Sequence, residues 1–231
     1  MPKQKREAER EPLSVERVLR QAIELADESG IHALSMRKLS QALGVEAMSL
    51  YNYVANKDEM IEGMIDLIVG EIELPKPGDD WKRGMRRRAR SAHHVLLRHP
   101  WAAALIESSE NPGPMRLRYF DAVLASLLDG GFPVALAYHA FLIMDSYIYG
   151  FALQEINWPY AGDERGEKVE ELQSDFPAAD FPHIAQVMGY VVDRDAKRAR
   201  SKKPITRENA YAKEFVYGFD LILEGLERRL R

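Results

Sequence analysis

The chain has 231 residues, room for one or two domains with a well-buried core. Its 46% hydrophobic and 29% charged residues fit a globular chain, and a net charge of −4 excludes a surface given over as a whole to polyanions, though not a local site. With no cysteine there is no disulfide and no thiolate metal site, so a cytoplasmic setting is the expectation. No run approaches the roughly eighteen apolar residues of a membrane span, and the N-terminus lacks the apolar stretch of a secretory signal.

Residues 1–13 form a polar tail. Lys3, Lys5, Arg6 and Arg10 are the residue types that reach phosphates, but Glu7, Glu9 and Glu11 dilute them, and a solvated arm is expected. Ser14 caps a first helix with Val18, Leu19, Ala22, Ile23, Leu25 and Ala26 on one side, closed by Gly30. From Leu34 to Met60 the pattern tightens. Ser35 caps a helix with Leu39, Ala42 and Leu43 at helical spacing, Gly44 can take the positive φ that ends it, and Val45 turns back inward. A second short helix, about Glu46 to Tyr53, points Leu50 and Val54 inward and Ala47, Met48, Ser49, Asn52 and Tyr53 outward. Asn56 followed by Glu59 has the spacing of a capping box, opening a helix at Lys57 that Leu74–Gly78 stops with two prolines. Two short helices joined by a glycine turn are how a helix-turn-helix presents its second helix to the major groove. Residues 1–57 carry nine Lys/Arg against eight Asp/Glu, so charge alone would not have suggested DNA.

Downstream, Asp80 caps a helix to about His99, with Trp81, Met85, Ala89, Ala92, Val95 and Leu96 periodic. Lys82, Arg83, Arg86, Arg87, Arg88 and Arg90 crowd its first half, and a solvated, salt-bridged face is expected of them. A short helix after Pro100 holds Trp101 and Leu105. Met115–Leu128 is the next, and Pro133–Ile156 follows without a continuous polar face, so it must be covered on more than one side. Residues 158–182 are acidic and broken, read as an excursion. A helix from Pro182 to about Arg194, a basic loop to Pro204 and a last helix capped by Thr206, with Tyr211, Phe215, Phe219, Ile222, Leu226 and Leu230 in a stripe, complete the chain. No strand pattern survives, and the fold class is all-α.

The strings L-S-M-R-K-L-S-Q-A-L-G-V and S-L-Y-N-Y-V-A-N-K, at fixed distance over the first seventy or so residues, resemble the tetracycline-repressor family of dimeric transcriptional regulators. F-V-Y-G-F-D-L-I-L-E-G-L-E-R-R-L is similar, more weakly, to the last helix of that family's ligand domain. The resemblance implies a three-helix helix-turn-helix domain at 14–56, a connecting helix at 57–74, and a larger helical ligand-binding and dimerisation domain at 79–231. It implies that Arg37, with Lys38 beside it, contacts a base or a phosphate, that Ser49, Tyr51 and Lys57 anchor phosphates, and that Ala47, Met48, Asn52 and Tyr53 occupy reading positions. Ala47 departs from the family's Gln, so readout at that step should be apolar or absent. The other reading of Tyr51 and Tyr53 is plain packing.

The same resemblance puts Trp101, Leu105, Phe120, Val123, Leu124, Tyr138, Phe141 and Asp145 around an effector pocket; periodicity alone would make most of them core. Asp145 stands out because an unpaired carboxylate is costly in an apolar helix, and a place in a dimer interface or an ion pair with an Arg of the fifth helix, such as Arg88, are the competing roles. Positions that carry the tetracycline–magnesium ligands in that family show Glu73, Arg88 and Ile106-Glu107 here. The expected effector is therefore another small molecule, uncharged or cationic and partly hydrophobic, and no metal or cofactor is implied. His93, His94 and His99 lack the H-E-x-x-H spacing of a zinc site, and no G-x-S-x-G elbow or phosphate loop exists, so an enzyme is not expected. The expected function is a homodimeric, ligand-responsive repressor of a palindromic operator; an activator of the same fold, a helical enzyme and an adaptor that does not bind DNA are the alternatives.

Overall fold

The computed structural model describes residues 12–109, 111–157, 176–199 and 212–230. Among these residues there are ten α-helices, a short 3-10 turn and no strand. The helices are α1 (Val15–Ser29), α2 (Met36–Leu43), α3 (Ala47–Leu50), α4 (Lys57–Gly70), α5 (Trp81–Arg98), α6 (Ala102–Ser108), α7 (Pro114–Asp129), α8 (Val134–Asn157), α9 (Pro182–Ala199) and α10 (Ala212–Leu230). The helix expected to end near Arg194 runs on to Ala199, so the first half of the expected basic loop is helical. The basic arm residues, the acidic stretch 158–175, residues 200–204, the Thr206 cap and Tyr211 lie outside the described residues.

Contacts divide the chain into two compact units. The first is the described part of Met1–Ile72 together with Trp101–Asp121; the second is the described part of Glu73–Pro100 and Ala122–Arg231. The division falls within α7, so α6 and the opening turns of α7 group with the helix-turn-helix.

In the first unit α1 packs on α2 and α4, and α6 packs on α4. Val18, Ala22, Leu39, Leu50, Met60, Met64 and Ile68 are fully buried. Such spacing gives each helix one apolar stripe, and each fully buried aliphatic side chain contributes about 1.5–3 kcal/mol. Two inward positions differ from the periodicity. Ala42 is exposed and Ser40 is buried instead, because the Ser40 hydroxyl donates to the Arg37 carbonyl at 2.9 Å and so travels inward satisfied.

In the second unit α5 packs on both α8 and α10, which also pack on each other. Met85, Ala89, Ala92, Leu96, Ala140, Met144, Ile148, Phe215, Phe219 and Leu223 fill the centre. Small alanines on α5 and α8 let these helices approach while the phenylalanines of α10 fill the space beside them. By length and composition α8 is apolar enough to cross a membrane. Its interior, however, carries Asp145 and Glu155 in pairs with α5, which is the arrangement of a core helix packed on protein.

Candidate nucleic-acid interface

The local chain of causes begins at Ser35. Its hydroxyl accepts from Lys38 N at 3.3 Å, satisfying an orphan donor of α2. At the other end Gly44 has φ 67 and ψ 37, and the bonds Gly44 N to Gln41 O and Val45 N to Ser40 O form a Schellman closure. A residue with a Cβ would strain there. The turn delivers α3, which is only one turn long. After Leu50 it tightens: Tyr51, Asn52 and Tyr53 donate three residues back rather than four, so the expected helix to Tyr53 is α-helical only as far as Leu50. Buried Leu50 and Val54 hold this segment on the core and fix which side faces out.

Outward stand Arg37, Lys38, Met48, Tyr51, Asn52 and Lys57, all exposed, with Ala47, Ser49 and Tyr53 half-buried. Met48 is 74% exposed and Tyr51 48%, although the core beneath is closed. Among the described residues, Arg37, Lys38 and Lys57 make no ion pair. Asn56 caps α4 through Glu59 N at 2.8 Å. The return bond of Glu59 goes to Ala55 N at 2.7 Å, one residue earlier than the usual box. Lys57 therefore sits at the positive end of a well-capped helix, where an anion is favoured.

A second constellation ties α4 to the α6–α7 corner within the same unit. Asp66 is buried, and its two oxygens accept from Arg116 N at 2.9 Å and Met115 N at 3.1 Å, capping α7 from outside. A side chain at Gly113 would collide with this carboxyl. Arg116 in turn donates to the Ser109 hydroxyl and to Ile106 O, and Ser109 donates to Glu62. Sequence reading passed over Asp66. Its signal was the one that singled out Asp145: a carboxylate inside an apolar helical run.

The residues expected around an effector are divided between the units. Trp101, Leu105 and Phe120 are half-buried in the first, where the Trp101 indole donates to Asp27 at 2.8 Å. Val123, Leu124, Tyr138, Phe141 and Asp145 belong to the second; Val123 is fully buried, whereas Tyr138 is exposed. Asp145 Oδ1 accepts from Arg88 Nη1 at 2.6 Å, so the acid has a buried cation as partner. Glu73, at one of the positions of the tetracycline–magnesium ligands, pairs with Arg87 at 2.8 Å.

Lys82, Arg86, Arg87 and Arg88 in the basic half of α5 are salt-bridged, Arg88 fully buried rather than solvated, while Arg83 and Arg90 are exposed. Lys82 pairs with Glu227 at 2.9 Å and Arg86 with Asp220 at 2.7 Å. Arg87 pairs with both Glu73 and Asp79. The hydrogen bond from Arg87 holds the Asp79 carboxyl below its ordinary range, and the same bond raises the guanidinium. Their partners make these side chains part of the scaffold.

The helix-turn-helix region, residues 18–64, matches the model of bacterial regulatory proteins of the tetR family, and residues 74–230 match that of the tetracyclin repressor-like C-terminal domain. An HTH-type transcriptional regulator of Saccharopolyspora erythraea is 34% identical over 179 residues, covering 74% of this chain and 75% of the relative. The class A tetracycline repressor protein from transposon 1721 in Escherichia coli is 30% identical over 157 residues, covering 67% of this chain and 72% of its own. Among solved structures, a possible TetR family transcriptional regulator from Streptomyces coelicolor superimposes with a TM-score of 0.73 at 26% identity, over 94% of this chain and all of the other. These matches show that the chain belongs to the tetracycline-repressor family of bacterial transcriptional regulators.

Proposed function

We propose that the protein is a homodimeric repressor that holds a palindromic operator through α2, α3 and the start of α4, and releases it when a small, partly hydrophobic effector other than tetracycline–magnesium binds the helical core. The observation that carries the DNA half is the uncommitted, outward set Arg37, Lys38, Tyr51, Asn52 and Lys57 on a turn whose buried side is closed by Leu39, Leu43, Leu50 and Val54. Arg37 and Asn52 are the base-reading side chains, and Ser49, Tyr51, Tyr53 and Lys57 the phosphate anchors. Ala47 and Met48 supply apolar contact, and DNA shape supplies the remaining specificity.

Dimerisation rests on uncovered apolar side chains. Val134, Tyr138 and Leu142 on α8 recur at four-residue spacing, as do Tyr217 and Leu221 on α10, and all are exposed in the single chain. Two copies pairing through α8 and α10 would cover them and set two α3 segments about 34–36 Å apart, one helical turn of DNA. The Asp66 and Arg116 clasp makes α4 the element through which a shift at the α6–α7 corner reaches Lys57. Effector and operator then bind with reciprocal coupling.

The test is a gel shift on the DNA upstream of the protein's own gene, with molar mass measured alongside. A dimer that retards this DNA is the expected result. A monomer at micromolar concentration would end the operator model.

A further inference from the structure

A cavity of about 570 Å³ lies between α5 and α10 in the second unit, and none of the residues assigned above to an effector lines it. Arg90, His93 and His94 form one wall, with Lys213, Phe215 and Tyr217 on the other. We infer that this cavity is a binding site for a small aromatic anion.

Three observations support the ligand class. The first is charge. Arg90 and Lys213 are exposed and make no ion pair among the described residues, while Asp220, the acid among the lining residues, is committed to Arg86 at 2.7 Å. Among the described residues the lining therefore presents two cations without an ion pair, a surface that attracts anions. The second is ring geometry. The lining includes the buried stack of His93 on Phe215, with centroids 4.2 Å apart and planes 12° apart, together with Tyr217, so aromatic side chains make up much of it. The third is rigidity. His93 is buried, and its Nε2 donates to the buried Glu155 carboxylate at 2.8 Å, which fixes the imidazole before any ligand arrives. The volume falls in the range of about 300–1,000 Å³ that small-molecule sites occupy. This departs from the uncharged or cationic effector expected from sequence, because the lining of this cavity carries Arg90 and Lys213.

The inference deepens the effector reading and rests on it only for its regulatory consequence. The test uses the full-length protein and two fluorescent probes of similar shape: anilinonaphthalenesulfonate, an aromatic anion, and uncharged N-phenylnaphthylamine. Arg90→Ala with Lys213→Ala should weaken the anion about fivefold, two exposed charge contacts' worth, and leave the neutral probe unchanged. Val216→Trp, which fills the cavity, should weaken both. Unchanged anion binding in both variants would overturn the site. Equal loss of the two probes in the double alanine variant would overturn the charge argument. A gel shift with the bound anion then separates the two readings. Release of the operator supports the regulatory consequence, whereas binding without release leaves the site standing and refutes its control of DNA.

Discussion

The two basic regions of this protein use most of their cations differently. Arg37, Lys38 and Lys57 stand on the helix-turn-helix without acidic partners among the described residues. Lys82, Arg86, Arg87 and Arg88, far denser along α5, are each paired with Glu227, Asp220, Glu73 with Asp79, and Asp145 respectively. Density of positive charge therefore does not say which cations are left uncommitted. What counts is whether a cation is free, exposed and held on a rigid element, since a paired charge must break its pair before meeting a phosphate.

The strongest way to break the comparison is at its most committed member. Asp145→Ala leaves Arg88 buried without its anion and should destabilise the fold by about 3–5 kcal/mol in urea unfolding. Arg88→Met combined with Asp145→Leu should recover most of that loss, because an apolar pair of similar volume needs no solvation. A double variant as unstable as the single one would show that the pair has a role beyond neutralising itself.

Asp66→Ala comes next. It strands two backbone donors at the start of α7 and should cost about 1–3 kcal/mol, read as a lower urea midpoint. Gly113→Ala should lower it as well, by pushing the carboxyl off those donors; a midpoint unchanged in both would dismiss the clasp.

The comparison itself is sharpened by Lys57→Ala and Lys82→Ala. The first should weaken operator binding and lower the slope of log affinity against log salt by about one. The second should leave both unchanged, because its partner lies within the chain. Equal effects would erase the distinction between free and paired cations.

The smallest effect concerns pH. Asp79 has a folded pKa below its ordinary 3.8, chiefly through the Arg87 hydrogen bond. Its contribution to stability is therefore present above 3.8 and fades as pH falls through the lower folded value. Wild type should lose stability slightly faster than Asp79→Asn on acidification below that point; parallel curves would remove the assignment.

Much of the reading head is legible because its causes are local. Ser14, Ser35 and Asn56 cap the helices they precede, and Gly30 and Gly44 close theirs, all through bonds spanning three to five residues. A hydroxyl three residues before an orphan N–H needs no knowledge of the rest of the fold. The limits are also local in origin. Periodicity sent Ala42 inward because it counts apolarity, whereas Ser40 could turn inward by satisfying its own hydroxyl. The capping box at Asn56 was visible, but not that Glu59 would reach Ala55 N instead.

What the sequence determined by itself was the all-α class, the glycine turn between α2 and α3 and the family to which its motifs point, since these follow from spacing within a few turns of helix. Only the tertiary structure decided which cations stay free, that Asp66 caps α7, that α6 and the start of α7 group with the helix-turn-helix, and that His93, Glu155 and Phe215 come together beside a cavity. Those outcomes join residues tens of positions apart. Each depends on which helix face meets which, and a buried charge gains its partner only when packing has chosen that face.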